Sequence, residues 1–219
     1  MSFTFKQFIV PNFKKRLCFM LPAIVLMGFF VSILVEIGWG TDPANFMNLN
    51  IAKLLGWQLG NTAVLVYGLM LIFTFIFGPQ LIGFGSLANM ILIGYIVDFC
   101  RWLWEKTGFS AFIQNATLPI LITLFTVALI LFVIAASIYM NAQMGVAPYD
   151  AMPQIISGWL PKIPFFIVRM LFDFSAILIG VLAGKLSGGI EGSLIGSVAM
   201  TLLLGPVITL VGKPLKKIL

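Results

Sequence analysis

No histidine occurs anywhere in the chain. That removes the commonest general base, the commonest metal ligand and the usual pH switch. Cysteine is almost as scarce: Cys18 and Cys100 are the only two, far apart and without a CxxC pairing. Neither a disulfide framework nor a zinc site is indicated, and both read as small apolar filler in helices. Charge is short as well, at 9% of the 219 residues, where an ordinary globular domain has about a quarter. A soluble fold of this size cannot cover itself with so few charges. What is present instead is apolar, 61% of the chain, in continuous rather than alternating runs. In hydrocarbon every backbone group must be bonded internally, so such a chain is a closed barrel or helices, and continuous runs select helices. The expected fold is all-α and integral to the membrane, with no soluble catalytic domain, no cofactor and no metal; the chain is not expected to be an enzyme. One enzymatic arrangement stays open on paper, an intramembrane carboxyl pair of Asp42 and Asp150.

A span needs about 20 apolar residues. Six stretches qualify: 17–39, 61–79, 85–104, 117–140, 164–183 and 192–212. The first follows Lys14, Lys15 and Arg16, exceeds a signal-peptide apolar core of roughly 7–15 residues and lacks a small-residue cleavage site, so it is read as a retained span. Six spans return both ends to one side. Lys6, Lys14, Lys15, Arg16, Lys162, Lys213, Lys216 and Lys217 then fall on one face, and Lys53, Arg101, Lys106 and Lys185 on the other. The excess places both termini in the cytoplasm, with the plasma membrane as the location. The net charge of +6 is explained by these flanking lysines, so nucleic acid is not an expected partner.

The chain also repeats itself. Gly40-Thr41-Asp42-Pro43-Ala44-Asn45-Phe46-Met47 matches Gly145-Val146-Ala147-Pro148-Tyr149-Asp150-Ala151-Met152 at an offset of 105. Gly85-Ser86-Leu87-Ala88-Asn89 through Gly94 matches Gly196-Ser197-Val198-Ala199-Met200 through Gly205 at an offset of 111. One transmembrane domain, 1–219, is expected, built from repeat 1 at about 17–108 and repeat 2 at about 115–212. Three spans per repeat is an odd number, so the second repeat must be inverted relative to the first.

Each repeat carries a Pro-containing segment after its first span, at about 41–60 and 145–163. Both are too polar and short to span. They are either amphipathic helices on the surface or re-entrant helices buried in protein. Asp42 before Pro43 makes a good N-cap with proline in the first turn. Asp150 sits early in the second helix, where a negative charge complements the dipole. Helix starts at mid-depth would suit an anionic group, but the two aspartates leave a cation or amine equally open.

The Gly145-x-x-Pro148-Tyr149-Asp150-Ala151 segment, followed by a span and then Gly196-Ser197 running to Gly205-Pro206, resembles the YczE/YyaS/YitT family of bacterial membrane proteins. The likeness extends from about Gly28 to Val211. In the first copy Asn45 stands where the pattern has Asp, and Phe46 replaces Ala. The resemblance implies a multi-pass plasma-membrane protein and a transporter, without a substrate.

Charges inside spans are costly and default to functional candidates. Arg169 and Asp173 share a helix face at i, i+4. They either neutralise each other structurally or hold a substrate carboxylate. Asp150, with Pro148, Gln154 and Asn141 around it, is the prime candidate; otherwise it only stabilises a helix start. Asp42, Asn45 and Asn89 complete the substrate-binding set. Glu36 is a coupling-ion or proton ligand, or else a residue that reaches headgroup water. Asp98 and Arg101 read as a solvated interfacial pair beside Trp102. The expected function is a membrane transporter for a small organic solute, an amino acid or carboxylate on the strength of Arg169, with its site between the repeats. Alternatives are a substrate-binding membrane subunit driven by partner ATPases, a channel, or a non-transporting regulator; a homo-oligomer is also open.

Overall fold

The cationic run ahead of the first span is itself helical. Helix α1 covers Phe13–Ile37 and stops at Gly38, so Lys14, Lys15 and Arg16 lie in its first turns. Helix α2, Pro43–Leu55, starts as its sequence predicts: Asp42 is the N-cap, accepts from the Asn45 N–H, and proline fills the first turn. Then follow α3 (Leu59–Phe77), α4 (Phe84–Thr107), α5 (Phe109–Asn115), α6 (Leu118–Asn141), α7 (Pro148–Trp159), α8 (Phe165–Leu186) and α9 (Leu194–Leu215). This computed structural model describes residues 8–215 and, beyond Leu203, the side chains of 207, 208 and 210–212. Lys6, Lys216, Lys217 and the side chains of Lys213 and Pro206 lie outside the described residues. No strand occurs among the described residues.

Five helices are long and apolar enough to cross a membrane: α1, α3, α4, α6 and α8. Leu194–Leu203, the apolar start of α9, is shorter. The exposed surface of α3 includes Leu69, Ile72 and Ile76, and that of α8 includes Leu171, Leu178 and Leu182. Apolar faces this continuous are stable against lipid tails and not against water. The chain is a multi-pass membrane protein in contact with the bilayer.

Helix α1 packs between α4 and α6. It runs parallel to α4: Phe13 meets Phe84 at its start, and Ser32 accepts a 3.0 Å bond from the Trp104 indole near its end. It runs antiparallel to α6: Arg16 donates to the Ala142 carbonyl at 2.8 Å, while at the other end the Trp39 and Phe125 rings lie 5.6 Å apart. Helix α6 in turn runs parallel to α9, with Ser137 donating to the Ile208 carbonyl. Helices α2 and α7 are both wedged between α3 and α8. From Pro43 to Asn50 every residue of α2 is buried, so the first two turns are enclosed by protein, while Lys53, Leu54 and Leu55 at its end are exposed.

The matching sequence blocks touch crosswise. Gly40 has φ +120°, and a Cβ there would lie 2.6 Å from the Ser197 nitrogen; the neighbouring Thr41 N–H donates to Ser197 Oγ at 3.2 Å. Gly145 has φ +106° and abuts Gly83 and Ser86. Beside it the Gly85 N–H donates to the Met144 carbonyl at 2.6 Å and the Val146 N–H to the Leu81 carbonyl at 2.9 Å. Only a residue without a side chain fits at these backbone crossings.

Asp98 and Arg101 are not the solvated pair their position implied. Asp98 accepts the Leu59 N–H at 3.1 Å and the Gly60 N–H at 2.6 Å, serving the free donors at the start of α3. Arg101 instead pairs with Glu191 at 3.5 Å. On the same face Asn50 exchanges two bonds with the Glu191 backbone, at 3.1 and 2.8 Å, which ties the end of α2 to the loop before α9.

Candidate functional site

The first turns of α2 and α7 open onto one cavity of about 730 Å³. Each helix start brings polar side chains into an apolar setting. From α2 come Asp42 and Asn45; from α7, Tyr149, Asp150 and Gln154; from α8, Arg169 and Asp173. The depth is that of the middle of the bundle, since Met27 of α1, Tyr67 of α3 and Phe132 of α6 line it too.

Arg169 and Asp173 lie one turn apart on α8, so they meet on one face, at 3.0 Å between Nε and Oδ2. The guanidinium continues to Asp150 Oδ1 at 2.6 Å and lies over the Tyr149 ring, 5.6 Å from its centroid. The Tyr149 hydroxyl donates to the other oxygen of Asp173 at 2.8 Å. Two carboxylates thus share one guanidinium, and the cluster joins α7 to α8. Asp42 is served differently: the Asn45 N–H donates to it at 3.1 Å and the Asn45 amide at 2.6 Å. Asn45 is the counterpart of Asp150 in the other repeat block. The same position therefore holds an acid next to Arg169 and an amide next to Asp42.

Of the sequence-selected residues, Asp42, Asn45, Asn89, Asp150, Gln154, Arg169 and Asp173 line this cavity. Three do not. Pro148 is buried in the first turn of α7 without reaching it. The Asn141 amide turns back to the Ser137 carbonyl at 2.8 Å in its own helix. Glu36 is half-buried near the end of α1, off the lining. The structure adds Tyr67, Tyr139, Tyr149 and Thr201 to the wall. For Tyr67 and Tyr139 the signal is a tyrosine inside an otherwise apolar span, since a buried hydroxyl needs a partner, and Tyr149 stands inside the repeated motif; Tyr139 finds the Gly85 carbonyl at 3.2 Å. Among the described residues no group of three or more acidic, Cys or His side chains is arranged to hold a metal ion.

Residues 14–213 match a family described as Family of unknown function (DUF6198). Over 148 residues the chain is 24% identical to the Bacillus subtilis (strain 168) protein named Uncharacterized membrane protein YczE, covering 66% of this chain and 65% of that one. The chain thus spans somewhat less than two thirds of that curated relative. No solved structure matches. The YczE relative agrees with the resemblance carried by Gly145 to Ala151.

Proposed function

The chain belongs to the DUF6198 family, and from that premise and the geometry of its cavity we propose that it is a membrane transporter for a small organic solute. The single observation that carries this reading is the sharing of one mid-depth cavity by the first turns of α2 and α7. Broken or short helices whose ends meet inside a bundle are how transporters build a site away from both faces.

The reading takes α1–α4 and α6–α9 as inverted repeats of one transmembrane domain, with α9 as a sixth span and α2 and α7 as re-entrant helices. Its support is that α1 and α6, the first spans of the two halves, lie antiparallel from Arg16–Ala142 to Trp39–Phe125. The crosswise contacts of Gly40 with Ser197 and of Gly145 with Gly83 are what a two-fold relation between the halves requires. Rocking one half on the other would then alternate access. The excess of lysine and arginine around the N-terminus of α1 favours cytoplasmic termini in a plasma membrane. The reading involves no enzymatic step and needs neither an ATPase nor a second copy. The carboxylate solute inferred from Arg169 loses its argument, because Asp150 and Asp173 already balance that guanidinium.

The test is a thermal-shift screen of the purified protein against a metabolite library, followed by counterflow of each hit in proteoliposomes. Saturable, exchangeable uptake is the expected result. Flux that neither saturates nor exchanges would mean a channel, and uptake only with an ATPase present would mean a driven subunit.

A further inference from the structure

We propose that this cavity takes an organic cation: a positively charged head, such as an ammonium, on an apolar body, with the head held near Asp42 and Asp150. The assignment rests on the transport reading of the same site and gives its substrate class.

Charge is the first reason. Three carboxylates, Asp42, Asp150 and Asp173, line the cavity, and the one basic side chain among the lining residues is Arg169. Arg169 lies against two of them. Among the described residues the Asp42 carboxylate is hydrogen-bonded only by Asn45, and it lies within electrostatic reach of both Asp150 and Asp173. A carboxylate ligand would add to this surplus, whereas a cation would relieve it. In a low-dielectric surrounding that difference is large.

Asn89 is the second and independent reason. It is 5% exposed, its side chain faces the cavity, and among the described residues its amide has no hydrogen-bond partner. A buried amide in that state is incomplete without a ligand or water. Its carbonyl oxygen is a ready acceptor for an N–H donor. The remaining wall supplies the apolar part: Phe132, Phe166, Met170 and Met200 face the same space. Thioethers adapt to irregular shapes, and aromatic faces attract cations. A volume of about 730 Å³ falls in the range, roughly 300–1,000 Å³, that holds a drug-sized molecule.

The test uses the full chain, tagged and captured on beads, with radiolabelled tetraphenylphosphonium and phenethylamine as probes and denatured protein as background. Saturable binding of at least one probe is expected, with competition by unlabelled cation and none by tetraphenylborate, which has nearly the shape of tetraphenylphosphonium and the opposite charge. Asp42→Asn should weaken binding at least tenfold, while Arg101→Gln, at the far ion pair, should leave it unchanged. Equal or better binding of tetraphenylborate overturns the proposal. So does unaltered affinity in folded Asp42→Asn, or saturable binding of neither cation. The charge comparison is made on the unmodified protein, so it holds even where the variant does not fold. Cation binding without counterflow would reject transport and keep the ligand class; anion counterflow would do the reverse.

Discussion

Arg169 and Asp150 meet at 2.6 Å where α8 passes the start of α7, and their side chains are 33% and 26% exposed. The pair is neither at the surface nor sealed. Its acid is offered by the first turn of a short helix that carries Pro153 within it, so the contact fixes where a short helix begins against a long one. Because Asp173 approaches the same guanidinium from within α8, Arg169 is the hinge pin of the cluster, and either acid alone is not.

Removing it should therefore be worse than removing one acid. Arg169→Gln leaves Asp150 and Asp173 facing each other, and loss of a buried pair's partner costs several kcal/mol. With a third of the side chain exposed, we expect roughly 2–4 kcal/mol. The apparent melting temperature of the purified protein should fall by about 5–15 °C. Arg169→Lys should fall less, since it keeps the charge but not the fork that reaches both acids. A melting temperature unchanged in Arg169→Gln would show that the cluster does not hold α7.

The glycines at the crosswise contacts should be intolerant for a reason that does not apply to others. Gly40→Ala and Gly145→Ala each place a methyl at positive φ against another backbone. The backbone preference alone exceeds about 1 kcal/mol, and the overlap adds to it. Gly68, inside α3, has nothing within 4 Å of an added Cβ, so Gly68→Ala should be neutral or stabilising by roughly 0.5–1 kcal/mol. Melting temperatures of the three variants check this; a normal value for Gly40→Ala would sink the close-crossing argument.

Local chemistry was readable, and rotation about helix axes was not. The start of α2 follows from Asp42 and Pro43 because capping involves neighbours in the chain. The cavity's charged residues were found because a charge in an apolar run is conspicuous. Helix α5, Phe109–Asn115, was missed: seven residues fall far below span length. Glu191 drew no notice, since its partner Arg101 lies 90 residues away. Asn141 and Glu36 are candidates from sequence, yet neither lines the cavity. A span that is apolar all round carries no amphipathic stripe, so nothing in its pattern says which face a polar residue occupies.

Asp98 separates stability from ligand binding. Its two bonds to the Leu59 and Gly60 N–H groups cap α3, and a cap is worth about 0.5–2 kcal/mol. Asp98→Asn keeps the shape but weakens both bonds. A drop of a few degrees in melting temperature is expected, with tetraphenylphosphonium affinity unchanged, because Asp98 is not on the cavity wall. Altered affinity would mean that this end of the bundle couples to the site.

The cavity should be reachable from one face only. Four contacts define that face. The start of α1 meets the start of α4 at Phe13–Phe84, and the end of α6 at Arg16–Ala142. The end of α3 meets the end of α7 at Phe77–Trp159, and the end of α6 meets the end of α9 at Asn141–Gly212. Besides mid-helix residues, the lining takes in Met140, Phe165, Phe166 and Leu210, which come from the ends of α6 and α9 and the start of α8 on this same face. On the opposite face the end of α2 is tied down by Asn50–Glu191 and by Lys53, which donates to the Gly189 carbonyl at 2.8 Å. Gln154 is exposed and on the wall; Leu186 is exposed at the far end of α8. In a Cys18→Ser background, needed because that native thiol is exposed, Gln154→Cys should react with an impermeant thiol reagent only from the face carrying the α1 N-terminus. Leu186→Cys should react only from the other, and prior tetraphenylphosphonium should slow the first and not the second. Equal labelling of Gln154→Cys from both faces would mean that the ties at Asn50 and Lys53 do not close the far side.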